Sequence, residues 1–425
     1  MKITRKVMLI LAMLLSLTTL AAPTSAQSEV IDLGTLGGDF AQANAINNRS
    51  QVVGVSTTTA GEHHAFLWEK GLMTDLGTLG GTGSLANDIN DHGQVVGISS
   101  TAAGKSHAFL WEKGVMTDLG TPLGYDVCVA KAINNRSQVV GYCSDTAFLK
   151  PIHALLWENG VMTDLGTLDG IGNSYAYDIN DHGQVVGTSS TADGKSHAFL
   201  WERGAMIDLG TLGGNLAVAN AINNLGQVVG GSYTAAGDHL AFLWKGGIMT
   251  ALPTLGYNYS NAYDINDLEQ MVGFSDDLEY TSLASLWENG DITNLGTLLP
   301  NGQSFALSIN SKGQVTIDGY TASGQQHAFL WRKSLPTPAP EQQVTAIIEQ
   351  VNDLVAAGSL NQGQGTALQS KLDSVLRHLN MENDAAACSL LVAFSNHVQA
   401  LGSLTGEEKQ SLIDAANVAR SQLCP

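Results

Sequence analysis

Cationic side chains are scarce in this chain. Its 425 residues carry 20 Lys and Arg against 39 Asp and Glu, a net charge of −19 at pH 7. An acidic surface repels the phosphates of nucleic acid and of anionic lipid, so neither is an expected partner. Long apolar runs are missing beyond the first twenty residues, so no later segment is expected to enter a membrane as a helix. Cysteine is sparse too: Cys128, Cys143, Cys388 and Cys424 are all there are. None follows residue 26 closely enough for a lipid anchor, and an even number suits two disulfides in an exported protein. Catalytic signatures are absent as well. There is no Gly-x-Ser-x-Gly elbow, no His-Glu-x-x-His and no phosphate-binding loop. No catalytic residue, cofactor or metal is therefore expected.

Residues 1–26 read as a secretory signal peptide. Lys2, Arg5 and Lys6 form a positive start, Val7 to Leu20 is apolar, and Thr24-Ser25-Ala26 offers small residues for cleavage. Loss of those three basic residues takes the net charge from −19 to −22. The mature chain is expected to be secreted, extracellular or periplasmic, and monomeric.

What is abundant is repetition. The seven tryptophans, Trp68, Trp111, Trp157, Trp201, Trp244, Trp287 and Trp331, are spaced by 43, 46, 44, 43, 43 and 44 residues. A fixed period of this length marks a solenoid, a propeller or an array. His64-Ala-Phe-Leu-Trp68 recurs at His107, His197 and His327, Asp32-Leu-Gly-Thr-Leu36 at Asp75, Asp164 and Asp208, and Gln51-Val-Val-Gly54 at Gln94, Gln138, Gln184 and Gln227. Each period reads as four short strands: one ending in Ile-Asn, then Gln-Val-Val-Gly, His-Ala-Phe-Leu-Trp and Met-Thr-Asp-Leu-Gly-Thr-Leu. Gly-bearing turns separate them. The fold class expected is an all-β seven-bladed β-propeller over 29–333, with four-stranded antiparallel blades. The repeat region opens with a lone fourth strand, Val30 to Leu36, and ends after Trp331 without one. The N-terminal strand is therefore expected to close the last blade and remove two exposed edges.

Repeated residues are read as scaffold. Ala43, Ala86, Ala130, Ala176, Ala219, Ala262 and Ala306 each stand three before an Ile-Asn pair. They suit the crowded innermost strand of a propeller. The Asn series is expected to bond turn backbone. The series His64, His107, His153, His197 and His327, replaced by Leu240 and Leu283 in two repeats, is expected to bond structurally. One blade apart, these residues are too distant to share a metal. Asp88, Asp178 and Asp264 precede Ile in alternate repeats, a trace of duplication of a two-repeat unit. They are expected to pair with the backbone of the neighbouring blade.

The pattern resembles the HAF-type extracellular repeat family over about residues 30–332, on the His-Ala-Phe-Leu-Trp runs above. Repeats 3 and 6 depart from it, at Cys143 to Ile152 and at Ser282-Leu-Ala-Ser285. The resemblance implies secretion and repetition and supplies no catalytic residues.

Function is then expected in what does not repeat. Loops joining fourth to first strands and second to third strands should share a face. The first set holds Tyr125, Tyr175, Tyr177, Tyr257, Tyr259 and Tyr263. The second holds Glu62, Asp145, Asp193, Asp238, Asp276, Asp277 and Glu279. Aromatic faces beside carboxylates suit an extracellular glycan, and a protein surface is the other expected partner. The tyrosines with Asp276 and Asp277 are the candidate ligand-binding residues of a non-catalytic binding or scaffold protein. The alternative is a secreted polysaccharide-active hydrolase or lyase, which needs a pair of carboxylates. Plenty are present, but spacing singles out none.

Cys128 and Cys143 flank the Asn134–Ser137 turn almost symmetrically, so a disulfide is expected unless a bulge shifts the register. Residues 334–340, with Pro336, Pro338 and Pro340, form a stiff linker. From 341 to 425 the pattern turns helical. Val344, Ile347, Ile348, Val351, Leu354 and Val355 make one apolar face, capped by Gly358. Three more helices follow, the last opened by a Thr405–Glu408 capping box. Cys388 and Cys424 then fall near one another in an all-α bundle. Gly358-Ser-Leu-Asn-Gln-Gly-Gln-Gly365 and Leu412-Ile-Asp-Ala-Ala-Asn417 resemble the FIMAH-type helical module, which implies only that the module accompanies export.

Overall fold

The computed structural model describes residues 28–424, apart from 123, 146–149, 297–301, 322–323, 334–338 and 382. The expected signal peptide at 1–26 lies outside the described residues. So do most of the 334–340 linker and part of the Cys143–Ile152 segment. The chain divides into two compact units: Ser28–Lys333, which is mostly β, and a second that holds four helices.

Each repeat forms an antiparallel meander. In the first, Gly37–Ile46 pairs with Val52–Thr58, which pairs with His63–Glu69, which pairs with Leu72–Asp75. The register recurs. Ile46 faces Val52, Val52 faces Trp68 and Trp68 faces Met73, as Ile89, Val95, Trp111 and Met116 do one repeat on. The last meander, Phe305–Ile309, Val315–Tyr320 and Gln326–Lys333, receives its fourth strand from the other end of the region, where Ser28–Asp32 pairs with Gln326–Lys333. Among the described residues, no sheet closes on itself.

Two features of the first strand follow from crowding. The Ala three before each Ile is fully buried in all seven repeats. A bulge follows it, between Ala43 and Ala45 in the first repeat. The bulge drives the first-strand carbonyl against the Gly of Gln-Val-Val-Gly: a Cβ on Gly54 would collide with the Gln42 oxygen. That explains glycine there in six repeats. Fourth strands are shorter than the sequence reading made them. Leu72–Asp75 stops because Gly77 takes a φ of 75° and donates its N–H to Asp75 Oδ1 at 2.7 Å.

The tryptophans bind each meander to the one before it. Trp157 packs with Val96 and Ala108, Trp287 with Ala221 and Ala241, and Trp331 with Ala284 and Leu286. Trp68 packs with Ala328 and Leu330 of the seventh repeat. Trp111, Trp201 and Trp244 are only half-buried, less deep than their repeat position suggests.

Both disulfides are formed. The bulge between Ala130 and Ala132 acts opposite to its expected effect. Ile133 faces Val139, so an unbroken ladder would set Cys128 against Ser144. The bulge moves the register by one and brings Cys143 opposite Cys128, with Cα atoms 4.2 Å apart. In the helical unit, α1 (Pro340–Ala356), α2 (Gln362–Leu379), α3 (Asp384–Ala400) and α4 (Gly406–Leu423) share one core of Val344, Ile347, Leu368, Leu391, Phe394 and Leu412, among others. Thr405 and Glu408 form the capping box on α4. Asn361 and Gln364 form a second one on α2, which the sequence reading passed over. Cys388 joins Cys424 across a Cα separation of 6.0 Å.

Candidate functional site

The repeated polar residues are consumed by the scaffold. Asn47 Oδ1 accepts the N–H groups of Arg49 and Gln51, each at 3.0 Å. Its Nδ2 donates to Gln51 Oε1 at 2.7 Å and to the Asn90 carbonyl of the next repeat at 3.0 Å. These four bonds exhaust an amide side chain. The inter-repeat bond recurs from Asn90, Asn134, Asn180, Asn223 and Asn266, and Asn310 donates to the Asn47 carbonyl at 3.0 Å. A cavity of about 200 Å³ lies against this set, between residues drawn from all seven first strands.

The alternating aspartates link neighbouring first strands. Asp88 Oδ1 accepts from Ile89 N–H at 2.7 Å, and Oδ2 from Ile133 N–H of the next repeat at 2.8 Å. Asp178 does the same for Ile179 and Ile222, and Asp264 for Ile265 and Ile309. Burial pushes Asp88 up to about 6 and raises Asp178 and Asp264, against the amide bonds that favour the charged form.

The histidines pair with the fourth-strand aspartates. His64 Nδ1 lies 2.8 Å from Asp75, His107 2.7 Å from Asp118, His153 2.6 Å from Asp164 and His197 2.9 Å from Asp208. His327 lies 2.9 Å from Asp32 on the N-terminal strand. Where Leu240 and Leu283 replace His, Ala251 and Asn294 replace Asp. Two residues beyond Ala251, Pro253 stands in place of the glycine whose N–H the aspartate would have accepted. Among the described residues, no group of three or more His, Cys, Asp or Glu is placed to hold a metal ion.

The candidate tyrosines divide into two kinds. Tyr175 and Tyr177 lie in the strand Ser174–Ile179 and Tyr263 in Ser260–Ile265, not in loops. Tyr175 meets Tyr142 edge-on at 5.0 Å and lies parallel to Tyr177 at 6.3 Å. Burial raises all three hydroxyls, and raises Tyr263, against Phe274, to about 12. These rings pack between strands. Tyr125 donates to the Pro151 carbonyl at 3.1 Å, with Lys150 Nζ 5.3 Å from its ring centre. Burial raises its hydroxyl too.

Tyr257 and Tyr259 are the exposed pair, at 42% and 41%. Tyr257 meets Tyr280 edge-on at 4.5 Å, and Tyr259 lies 5.2 Å from His239 and 5.7 Å from Phe274. Tyr280 is 66% exposed, and the sequence reading missed it. Its signal was the run Asp277-Leu-Glu-Tyr280, which ends in tyrosine where five of the other repeats end in glycine. Asp276 and Asp277 both bond within their own loop. Asp276 is buried and accepts from Ser282 Oγ at 2.7 Å, and its backbone bonds Tyr257 and Tyr259. Asp277 Oδ1 accepts the N–H groups of Glu279 and Thr281 at 2.8 and 3.0 Å. Both build the platform that presents the rings.

No curated protein matches the chain in sequence. Solved structures resemble it at low identity. TolB from Acinetobacter baumannii is 11% identical, with a TM-score of 0.41 over 70% of this chain and 65% of that one. The β-propeller domain of the Trilobed protease from Pyrococcus furiosus is 9% identical, with a TM-score of 0.47 over 70% of this chain and all of that domain. The SapL1 lectin, solved with alpha methyl fucoside, is 10% identical, with a TM-score of 0.34 over 71% and 98%. The chain is thus mostly β with propeller-type neighbours, and residues 344–420 of its helical end match the FIMAH domain.

Proposed function

We propose that this protein is a secreted, non-catalytic binding protein that holds an extracellular glycan on the Tyr257–Tyr259–Tyr280 face. Its strand region, 29–333, is read as a closed seven-bladed propeller of HAF-type repeats. A signal peptide at 1–26 precedes it, and a linker at 334–340 leads to a helical module at 341–425. It acts as a monomer without a cofactor. Closure is supported by the Asn310 bond to the Asn47 carbonyl, by the packing of Trp68 on Ala328 and Leu330, and by the pairing of Ser28–Asp32 with Gln326–Lys333. Export is supported by two disulfides, which persist in oxidising compartments.

The observation that carries the binding reading is three exposed tyrosine rings on one repeat, with no hydroxyl hydrogen-bonded among the described residues. Aromatic faces with free hydroxyls stack on sugar rings and bond their hydroxyl groups. The test is retention of insoluble polysaccharides by the wild-type chain and by a Tyr257→Ala, Tyr259→Ala variant. Loss of retention in the variant, with an unchanged melting temperature, is the expected result. Equal retention overturns the reading.

A further inference from the structure

A second site lies in the same strand unit, away from any of these tyrosines. A cleft of about 540 Å³ opens between the first and second repeats. That volume falls within the usual range for small-molecule sites, roughly 300–1,000 Å³. Phe40, Val55, Leu85 and Ile98 form its apolar wall. Phe40 meets His63 edge-on at 5.5 Å. His63 lies outside the repeated His series.

The polar groups of the cleft fall into two sets. Ser84, Ser99 and Ser100 are used up locally. Ser100 Oγ, for example, accepts from Gly83 N–H at 2.8 Å and donates to the Gly83 carbonyl at 2.9 Å. The side chains of Gln42, Thr82, Ser106 and His63 make no hydrogen bond to any described residue. Four uncommitted polar side chains therefore border an apolar wall. Among the described residues, no Asp, Glu, Lys or Arg lines the cleft.

Comparison of the repeats shows why the cleft exists here. The position of Gly83, six before Ile89, carries Phe40, Val127, Asn173, Leu216, Tyr259 and Gln303 in the other repeats. Only the second repeat has a glycine. No positive φ demands it, and a Cβ there would meet only the His63 carbonyl oxygen, at 3.4 Å. The backbone thus accepts a side chain, and the missing one leaves the cleft open. Between the fifth and sixth repeats the equivalent positions hold Tyr259 and Phe274, 5.7 Å apart.

We infer that this cleft binds one neutral sugar residue. Its apolar C–H face would pack on Phe40, and its hydroxyls would bond Gln42, Thr82, Ser106 and His63. A carboxylated or cationic ligand finds no Asp, Glu, Lys or Arg among the described lining residues to offset the hydration it gives up, and is disfavoured. The inference concerns a different site from the tyrosine face and stands without it.

Isothermal titration of the full chain with methyl glycosides of glucose, galactose, mannose and N-acetylglucosamine tests it. At least one should bind, and glucuronic acid should not. Gly83→Tyr, which copies the sixth repeat, should weaken that binding at least tenfold while the melting temperature holds. A Thr82→Ala, Ser106→Ala variant removes only hydroxyls, and should weaken it severalfold even if Gly83→Tyr misfolds. Absence of binding by every glycoside, or undiminished binding in these variants, overturns the inference. Loss of glycoside binding in Tyr257→Ala instead also overturns it, and favours the tyrosine face.

Discussion

Asp318 stands where other repeats carry Val55, Ile98 or Phe274. It is buried. Its Oδ2 accepts from Gln326 Nε2 at 2.7 Å, and its Oδ1 has no partner. Burial pushes its carboxyl from 3.8 up to about 7. Below pH 4 the group is protonated both folded and unfolded, and its effect on stability vanishes. Between pH 4 and 7 the folded chain keeps a proton that the unfolded chain has released, so stability falls as pH rises. Above pH 7 the loss levels off at about 4 kcal/mol, the equivalent of some three pKa units. Asp318→Val removes this loss. It also leaves Gln326 without its acceptor, which takes back about 1 kcal/mol. The variant should therefore be more stable than wild type by about 3 kcal/mol at pH 8, or about 6 °C in melting temperature for a domain of this size. At pH 4 the gain should be gone. All seven tryptophans lie in the strand unit, so thermal melts followed by tryptophan fluorescence from pH 4 to 9 report that unit alone. A difference between variant and wild type that stays flat across this range refutes the reasoning. So does a variant that melts below wild type at pH 8.

Three further outcomes are expected. Trp287 is 1% exposed and donates its indole N–H to the Pro253 carbonyl at 2.8 Å. Trp287→Ala should cost about 3–5 kcal/mol in urea unfolding, and the half-buried Trp244→Ala distinctly less; equal losses would contradict the packing argument. Deleting residues 29–36 removes the strand paired with Gln326–Lys333, the Leu33 side chain and the Asp32 partner of His327. The melting temperature should fall, and an unchanged value would count against closure by this strand. His197→Leu and Asp208→Asn together recreate the Leu283 and Asn294 of the sixth repeat. A double-mutant cycle should give a coupling of about 0.5–1 kcal/mol, modest because Asp208 is half in solvent; zero coupling removes the pairing argument.

The meanders were legible in the sequence because each repeat carries its own register marks. Ile and Trp recur with Val between them in six repeats and Met271 in the sixth, and in all seven the Ile faces that central residue and the central residue faces the Trp. The helical unit was legible from its apolar period and its Thr405 cap. What the sequence could not give was direction. Tyr175, Tyr177 and Tyr263 stand where the sequence suggests a loop joining fourth to first strands. They are strand residues whose rings fill space between meanders. Asp276 and Asp277 looked like ligands because carboxylates near tyrosines suggest sugar. A carboxylate that folds its own loop looks the same in sequence, and the bonds to Ser282, Glu279 and Thr281 show that these two fold theirs. The cleft at Gly83 was invisible for the opposite reason. It is made by a missing side chain, and its unused groups come from two repeats some forty residues apart.

The alternation of Ala and Asp before the Ile residues has a stoichiometric cause. A carboxylate has two oxygens, and Asp88, Asp178 and Asp264 each spend one on their own Ile N–H and one on the next. One such residue serves two repeats, so Ala45, Ala132 and Ala221 lose nothing by having no acceptor. An Asp in every repeat would find its donors already taken. It would also add like charge beside groups that burial already raises. Seven is odd, however, and three carboxylates satisfy six amides. The amide left over is Ile46 N–H, and it meets Ser308 Oγ at 3.4 Å, a hydroxyl that donates in turn to Asp264 at 2.7 Å. Serine appears at this position in one repeat only, the one whose neighbour in this bonding series is the first. The break in the alternation is thus the residue that an odd number of repeats requires when the last must bond to the first.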